Sequence, residues 1–318
     1  MSKSLHVRIH GCDGSLWHVY GDQQGREGVF LAADQVKGLF DAPVRTSWKG
    51  GARQIGGRMR GAPIREWRDI LLGFHVVAAR VPGGDQEDIM GRFSEAFAYR
   101  PDPYDHDSRL PIIEVASEKT SRKLDVQLYK SKDFDPPRDP IKRRAANPEV
   151  PLRAGQPYYY EPNVVTKFEV PAGQTSGVGE IAVSNPSPLP MFQKWILTRG
   201  DWMIPDVSWE GPPRARRRGV SKLTGRDDRD RMIPMAPIGA LQGGAVIELD
   251  PNADLMVRDA HGTNLLGQMP IPGMYFEYEI PPHTQKTMLP ISVTNVPAGG
   301  AMAQLVQPRL YPEPIGGR

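Results

Sequence analysis

Apolar and polar positions alternate with a period of two through much of the chain, and turn formers break the alternation at short intervals. The clearest run is 235–311. There residues 245–249 end at Asp250-Pro251-Asn252, and 255–258 end at Asp259-Ala260-His261-Gly262. Residues 274–280 set Phe276, Tyr278 and Ile280 against Tyr275, Glu277 and Glu279 before Pro281-Pro282. Residues 289–294 alternate again, and 301–306 follow Gly299-Gly300. Alternation of this kind predicts strands with one buried and one wet face. Short strands with turns between them predict a sandwich or barrel.

The same pattern predicts strands at 5–10 and 16–20, joined as a hairpin through Gly11–Gly14. It predicts further strands at 29–31, 44–48, 72–79, 110–116, 123–129, 164–170, 180–183 and 193–198. A helical period occurs at 85–98. Ile89, Phe93 and Phe97 recur every four residues, Asp85 stands at the N-cap with Glu87 and Asp88 in the first turn, and Pro101 and Pro103 follow. The expected fold is mainly β, with this one helix covering a face of the first domain's sheet. The proline-rich, basic stretch 135–151 reads as a stiff linker, which divides the chain into domains 1–150 and 151–318.

Composition agrees with this reading: 33 Gly and 32 Pro among 318 residues favour many short strands over long helices. A single cysteine, Cys12, excludes an internal disulfide. No signal-peptide core and no membrane-spanning run is expected. A net charge of +3 is too small to imply nucleic acid by itself. Charge is concentrated at 214–231, where eight basic residues face three acids, a net +5. That leaves the rest of the chain slightly acidic.

The residues supply little catalytic chemistry. His6, His10, Cys12, Asp13 and His18 lie close in sequence, but on one strand His6 and His10 are about 13 Å apart at roughly 3.3 Å per residue, too far for one zinc ion. No nucleophile elbow, Walker loop or dinucleotide fingerprint is present. No catalytic, cofactor-binding or metal-binding residue is therefore expected, and the chain is not expected to be an enzyme. Gly50, Gly51, Gly56, Gly57 and Gly61, mixed with Arg53, Arg58 and Arg60, read as a long flexible loop or as a strand pair that only a neighbouring molecule orders. The 214–231 segment has no aromatic residue for base stacking, so it reads as a solvated loop or as a salt-bridged contact with an acidic partner subunit, made by Arg214, Arg216, Arg217 and Arg218, rather than as a nucleic-acid site. Tyr158–Tyr160, Trp202 and Trp209 are candidates for a sugar-stacking platform, whereas Trp195, flanked by Ile196 and Leu197, is expected in the core.

The second half resembles the galectin-like domain of siphophage distal tail proteins. The resemblance lies in Ser184-Asn185-Pro186 leading to Trp195-Ile196-Leu197-Thr198, in 243–250, in Val257-Arg258-Asp259 with Gly262-Thr263-Asn264, in 276–282, and in Pro308-Arg309-Leu310-Tyr311. The first half is similar to that family's ring-forming domain in Gly28-Val29-Phe30-Leu31, in 38–45, and in the helix carrying Phe93 and Phe97. The style of the sequence is like that of actinobacteriophage minor tail proteins. The resemblance implies a strand-rich ring-forming domain with one helix, followed by a galectin-like β-sandwich. It implies a structural virion protein, made in the host cytoplasm, whose homo-hexameric ring joins the tail tube protein to the tail tip or baseplate hub protein. DNA would only pass through the lumen, and no cofactor is needed. On this reading Gly50, Gly51, Arg53, Gly56, Gly57, Arg58 and Phe93 form the oligomer interface, and Arg214 and Arg216–Arg218 a second contact. The alternative is a carbohydrate-binding module attaching the virion to host cell-wall glycan through exposed Trp202 and Trp209.

Overall fold

A computed structural model describes residues 4–40, 43–50, 55–59, 63–132 and 139–316. The fold is mainly β, and the chain divides into two compact units. Unit 1 is Met1–Glu161 with Tyr311–Gly317, and unit 2 is Pro162–Leu310.

In unit 1, β1 (His6–His10) and β2 (Leu16–Tyr20) form the expected hairpin. β3 (Val29–Lys37) follows, then four short strands, β4 (Val44–Arg45), β5 (Trp48–Lys49), β6 (Arg58–Met59) and β7 (Ile64–Arg65). β8 (Arg68–Val77) leads to helix α1 (Gln86–Glu95). Next come β9 (Ile112–Ala116), β10 (Ser121–Asp125), β11 (Gln127–Leu128), helix α2 (Pro140–Arg143), β12 (Ala145–Ala146) and β13 (Glu149–Ala154). β14 (Tyr159–Val170) begins in this unit. One sheet runs β2-β1-β9-β10, and a second runs β11-β13-β8-β12, with β3 also on β8.

The helix forms where its cap and apolar stripe place it. The Asp85 carboxylate accepts from the backbone N–H of Glu87 at 2.9 Å and of Asp88 at 3.1 Å, satisfying donors the first turn leaves free. The stripe is buried: Phe93 meets Phe74 edge-on at 4.8 Å, Trp17 at 5.1 Å and Phe97 at 5.2 Å between ring centroids.

The expected division at 150/151 moves. β12 and β13 pair with β8, so the described part of the stretch read as a linker is built into unit 1, and the division falls after Glu161. Residues 135–138 of that stretch lie outside the described residues. The C-terminal residues also return to unit 1, held by two buried arginines. Arg68 donates to Pro157 O at 2.9 Å, Leu39 O at 3.0 Å and Pro312 O at 2.6 Å. Arg122 lies 3.5 Å over the Tyr311 ring, pairs with Glu161 at 3.2 Å, and donates to Glu313 O at 2.9 Å and Gly316 O at 2.6 Å. The planar guanidinium serves several carbonyls at once, which a lysine does not.

Unit 2 continues from β14 through β15 (Gly177–Asn185), β16 (Lys194–Leu197), β17 (Asp201–Pro205), β18 (Trp209–Glu210), β19 (Arg217–Arg218) and β20 (Met232–Pro234). It ends with β21 (Ala245–Glu248), β22 (Val257–Asp259), β23 (Thr284–Thr294) and β24 (Ala301–Tyr311). The orders β14-β24-β16-β21-β22 and β15-β23-β17-β20 both contribute to a single apolar core. That is the sandwich expected from alternation. β24 is its cleanest case, with every second side chain from Ala301 to Tyr311 buried. The turn before it needs Gly300. Its φ of +88° is left-handed, and a Cβ there would lie 2.5 Å from Val170 O.

The expected strand at 274–280 does not form. Phe276, Tyr278 and Ile280 are buried as their alternation requires, but among the described residues no neighbouring strand pairs with residues 274–279. A side chain takes the place of one. Asp206 accepts from the backbone N–H of Glu277 at 2.9 Å and of Tyr278 at 3.0 Å, and Arg231 donates to Tyr275 O at 2.8 Å. Alternation reports burial on one face; it does not report what satisfies the backbone.

Candidate functional site

The described residues of the glycine-rich segment of unit 1 belong to a two-stranded ribbon. β4 pairs with β7 so that Val44 faces Arg65, and β5 with β6 so that Trp48 faces Met59. Trp48 is 64 % exposed, Trp67 at the base is 54 % exposed, and Val44, Ile55, Met59 and Ile64 are exposed as well. A ribbon with no third strand has no core of its own, and two strands alone are marginal in water. Residues 43–67 carry six basic side chains against Glu66, and among the described residues only Arg45 of these has a carboxylate partner, Glu66 at 3.0 Å. Arg153 stacks on Trp67 at 4.8 Å. The ribbon thus offers apolar and cationic side chains together to solvent.

Of the residues expected at an interface, Gly50, Gly56 and Gly57 lie exposed near the ribbon tip, and Arg58 lies on β6. Gly51 and Arg53 lie outside the described residues. Phe93 corrects the expectation. It is 3 % exposed and locked between Trp17, Phe74 and Phe97, so it serves the core, not an interface. Its helical stripe signalled burial, and burial within the unit accounts for it.

The basic segment of unit 2 is folded onto its own acids. Arg217 pairs with Glu210 at 3.2 Å, Arg218 with Asp230 at 3.6 Å, Arg226 with Asp228 at 3.1 Å, and Arg229 with Asp227 at 2.6 Å. Arg231 pairs with Asp206 and, at 3.3 Å, with Glu277. Arg216 donates through Nη1 to Gly211 O, and Arg214 is exposed. The centre of the arrangement is Asp206, whose side chain is fully buried. Burial pushes its carboxyl up to about 6, against the Glu277 and Tyr278 N–H donors and the Arg231 guanidinium, which pull it down. Sequence reading missed Asp206; its only signal was a lone acid between two apolar stretches.

The tryptophans correct a second expectation. Trp202 is 1 % and Trp209 7 % exposed, so neither presents a ring face for stacking. Trp202 donates to Thr198 O at 2.8 Å and packs in the sandwich core. Trp195 is in that core as expected. Tyr159 is buried, donating to Leu39 O at 2.7 Å, and Tyr160 donates to Asp125 at 2.7 Å.

The N-terminal histidines go to separate acids. His10 Nε2 lies 2.7 Å from Glu114, and His18 Nδ1 lies 2.9 Å from Glu27. Burial by itself would raise the Glu114 carboxyl, but hydrogen bonds from Ser121 and His10 and the nearby Arg8 bring it below the usual carboxylate range. Among the described residues no group of three or more His, Cys, Asp and Glu gathers as a metal site, and no helix is long and apolar enough to cross a membrane.

No protein-family model matches the chain, and no curated protein does. Solved structures with a similar chain course exist. One is the Dit protein (gp 19.1) of SPP1, described as a paradigm of the hub adsorption apparatus in Gram-positive infecting phages. It is 10 % identical, with a TM-score of 0.49, over 97 % of this chain and 99 % of that one. Two others are phage P2 baseplates in the activated conformation. The one with Ca is 13 % identical at a TM-score of 0.47, and the one with Sr 11 % at 0.48; each match spans 96 % of this chain and 98 % of that one.

Proposed function

We propose that the chain is a structural protein of a long non-contractile phage tail. It forms a ring, a homo-hexamer, that joins the tail tube to the tail tip or baseplate, and DNA crosses its lumen in transit. The ribbon carries the reading: Trp48, Met59 and Ile64 on its strands and Ile55 between them stand in solvent with no core beneath them. A neighbour that covers such an element removes both its exposed apolar area and its open strand edges. A head-to-tail contact of this kind closes into a ring when its rotation allows. The similar solved structures are of a hub adsorption apparatus protein and of a baseplate; the ribbon is what supports the reading here. Buried Trp202 and Trp209 give the glycan-stacking alternative no contact surface.

The test is the mass of the purified protein by light scattering and its appearance in negative stain. A hexamer of the 35.3 kDa chain with a central lumen is the expected result. A protein that stays monomeric, and is also missing from purified tails, would overturn the reading.

A further inference from the structure

Unit 1 has an open, mostly apolar groove of about 630 Å³ beside β3, a strand that among the described strands pairs only with β8. Its walls include Tyr20, Phe30, Leu31, Val36, Leu39 and Phe40, of which Tyr20, Val36 and Phe40 are exposed. Arg80, 4.2 Å over the Phe30 ring, holds that wall in place. A bulge shapes the groove. β3 and β8 are in register at Leu31 and Phe74 and again at Val36 and Leu72, so residues 32–35 stand opposite Gly73 alone. A side chain at Gly73 would collide, because its Cβ would lie 2.5 Å from the Gln35 Cβ. The bulge turns at Asp34, whose φ of +61° is left-handed, a conformation that strains a residue with a Cβ. Ala32, Ala33 and Asp34 thereby join the lining. Asp34 is the one carboxylate there, no lysine or arginine lines the groove, and Asp34 has no ion pair among the described residues.

We propose that this groove receives the ribbon of a second copy of the chain, with Trp48 seated between its walls. The proposal rests on the ring reading and names the contact that builds the ring. Complementarity selects the occupant. The ribbon offers exposed Trp48, Met59 and Ile64 together with Lys49 and Arg65, which reach no carboxylate among the described residues. The groove offers apolar walls and a carboxylate without a cation. An indole placed there removes its own apolar area and that of Tyr20, Val36 and Phe40 from water together. The ribbon does not fill the groove of its own copy: β4 begins shortly after the groove residue Phe40, yet Trp48 stays exposed. A contact between two different surfaces of two copies is head-to-tail, the kind that closes into a ring.

The experiment places p-benzoylphenylalanine, another large aromatic, at position 48 of the full chain. Equal amounts of ¹⁵N-labelled and unlabelled copies are mixed and irradiated, and mass spectrometry identifies the joined peptides, while light scattering follows the parent chain. The expected result is adducts between labelled and unlabelled copies that map to Tyr20 or to residues 30–40. Ala33→Arg, which puts a bulky cation on the exposed rim, should lower their yield about tenfold or more and leave the melting of unit 1 unchanged. The adduct map decides by itself should A33R not fold. An oligomeric parent whose adducts lie elsewhere, or within single copies, overturns the groove contact and leaves the ring reading standing. Groove adducts that A33R leaves undiminished also overturn it. A monomeric parent with no adducts between copies overturns both.

Discussion

Residues 43–67 and 214–231 are alike in sequence. The first carries six basic side chains against one acid, the second eight against three, and both come to +5. They differ in what meets the charge. In 214–231 five arginines reach carboxylates, and three of those acids, Asp206, Glu210 and Glu277, lie outside the segment. In 43–67 only Arg45, among the described residues, finds one. The count along the chain is the same, yet one segment spends much of its charge on acids of its own unit and the other offers it outward. A basic run is an interaction surface only after the fold has shown which acids reach it.

The largest effect is expected where the framework is buried. Asp206→Ala leaves two backbone N–H groups unpaired and removes the buried partner of Arg231, which keeps only Glu277 as a carboxylate, and should destabilise unit 2 by about 3–5 kcal/mol in denaturant unfolding followed by tryptophan fluorescence. The double variant with Arg231→Met should lose less than the two single losses combined, because the cation that lost its buried partner goes too. If D206A melts like the parent chain, the framework reading of 214–231 is wrong.

Acid titration separates the two units. A folded-state pKa of about 6 for Asp206 lies above the ordinary 3.8, so this group stabilises unit 2 most at low pH. That contribution, about 2–3 kcal/mol, should disappear as the pH rises through about 6, and Asp206→Asn should flatten the profile. Glu114 acts the other way in unit 1. Its lowered pKa gives stability at neutral pH that is lost as the pH falls below the usual carboxylate range. Unfolding profiles of opposite slope for the two units, from hydrogen exchange at several pH values, are the expected signature.

Surface members of the 214–231 network should matter least to stability. Arg229→Ala and Arg217→Ala remove exposed pairs and should leave the melting temperature of unit 2 unmoved by calorimetry. In the ribbon, Trp48→Ala should likewise leave the melting of unit 1 unchanged, because the side chain packs against no core, yet it should weaken self-association in sedimentation.

Much of the fold was legible from period alone. Strands 16–20 and 301–306 and the helix capped by Asp85 follow from alternation, a four-residue apolar repeat and one acid in the right place. Other features depend on partners distant in sequence. The 274–280 segment has a strand's alternation but bonds to Asp206. The C-terminal residues belong to unit 1 because Arg68 and Arg122, far from them in sequence, capture their carbonyls. Phe93 and Trp209 carried a burial signal that reads the same whether a core or a partner covers the side chain. The ribbon was foreshadowed by its glycines, although its exposed Trp48 and Met59 emerged only once the strands were paired.

The most direct measurement compares the intact chain with one in which residues 44–65 are replaced by an Asn-Gly turn. Val44 pairs with Arg65, so a two-residue turn spans the gap. Light scattering on both, with unit 1 melting as the folding control, decides whether the ribbon assembles the protein. An intact oligomer and a shortened chain that is a well-folded monomer are the expected result. A shortened chain with the same assembly state as the intact one would contradict the account.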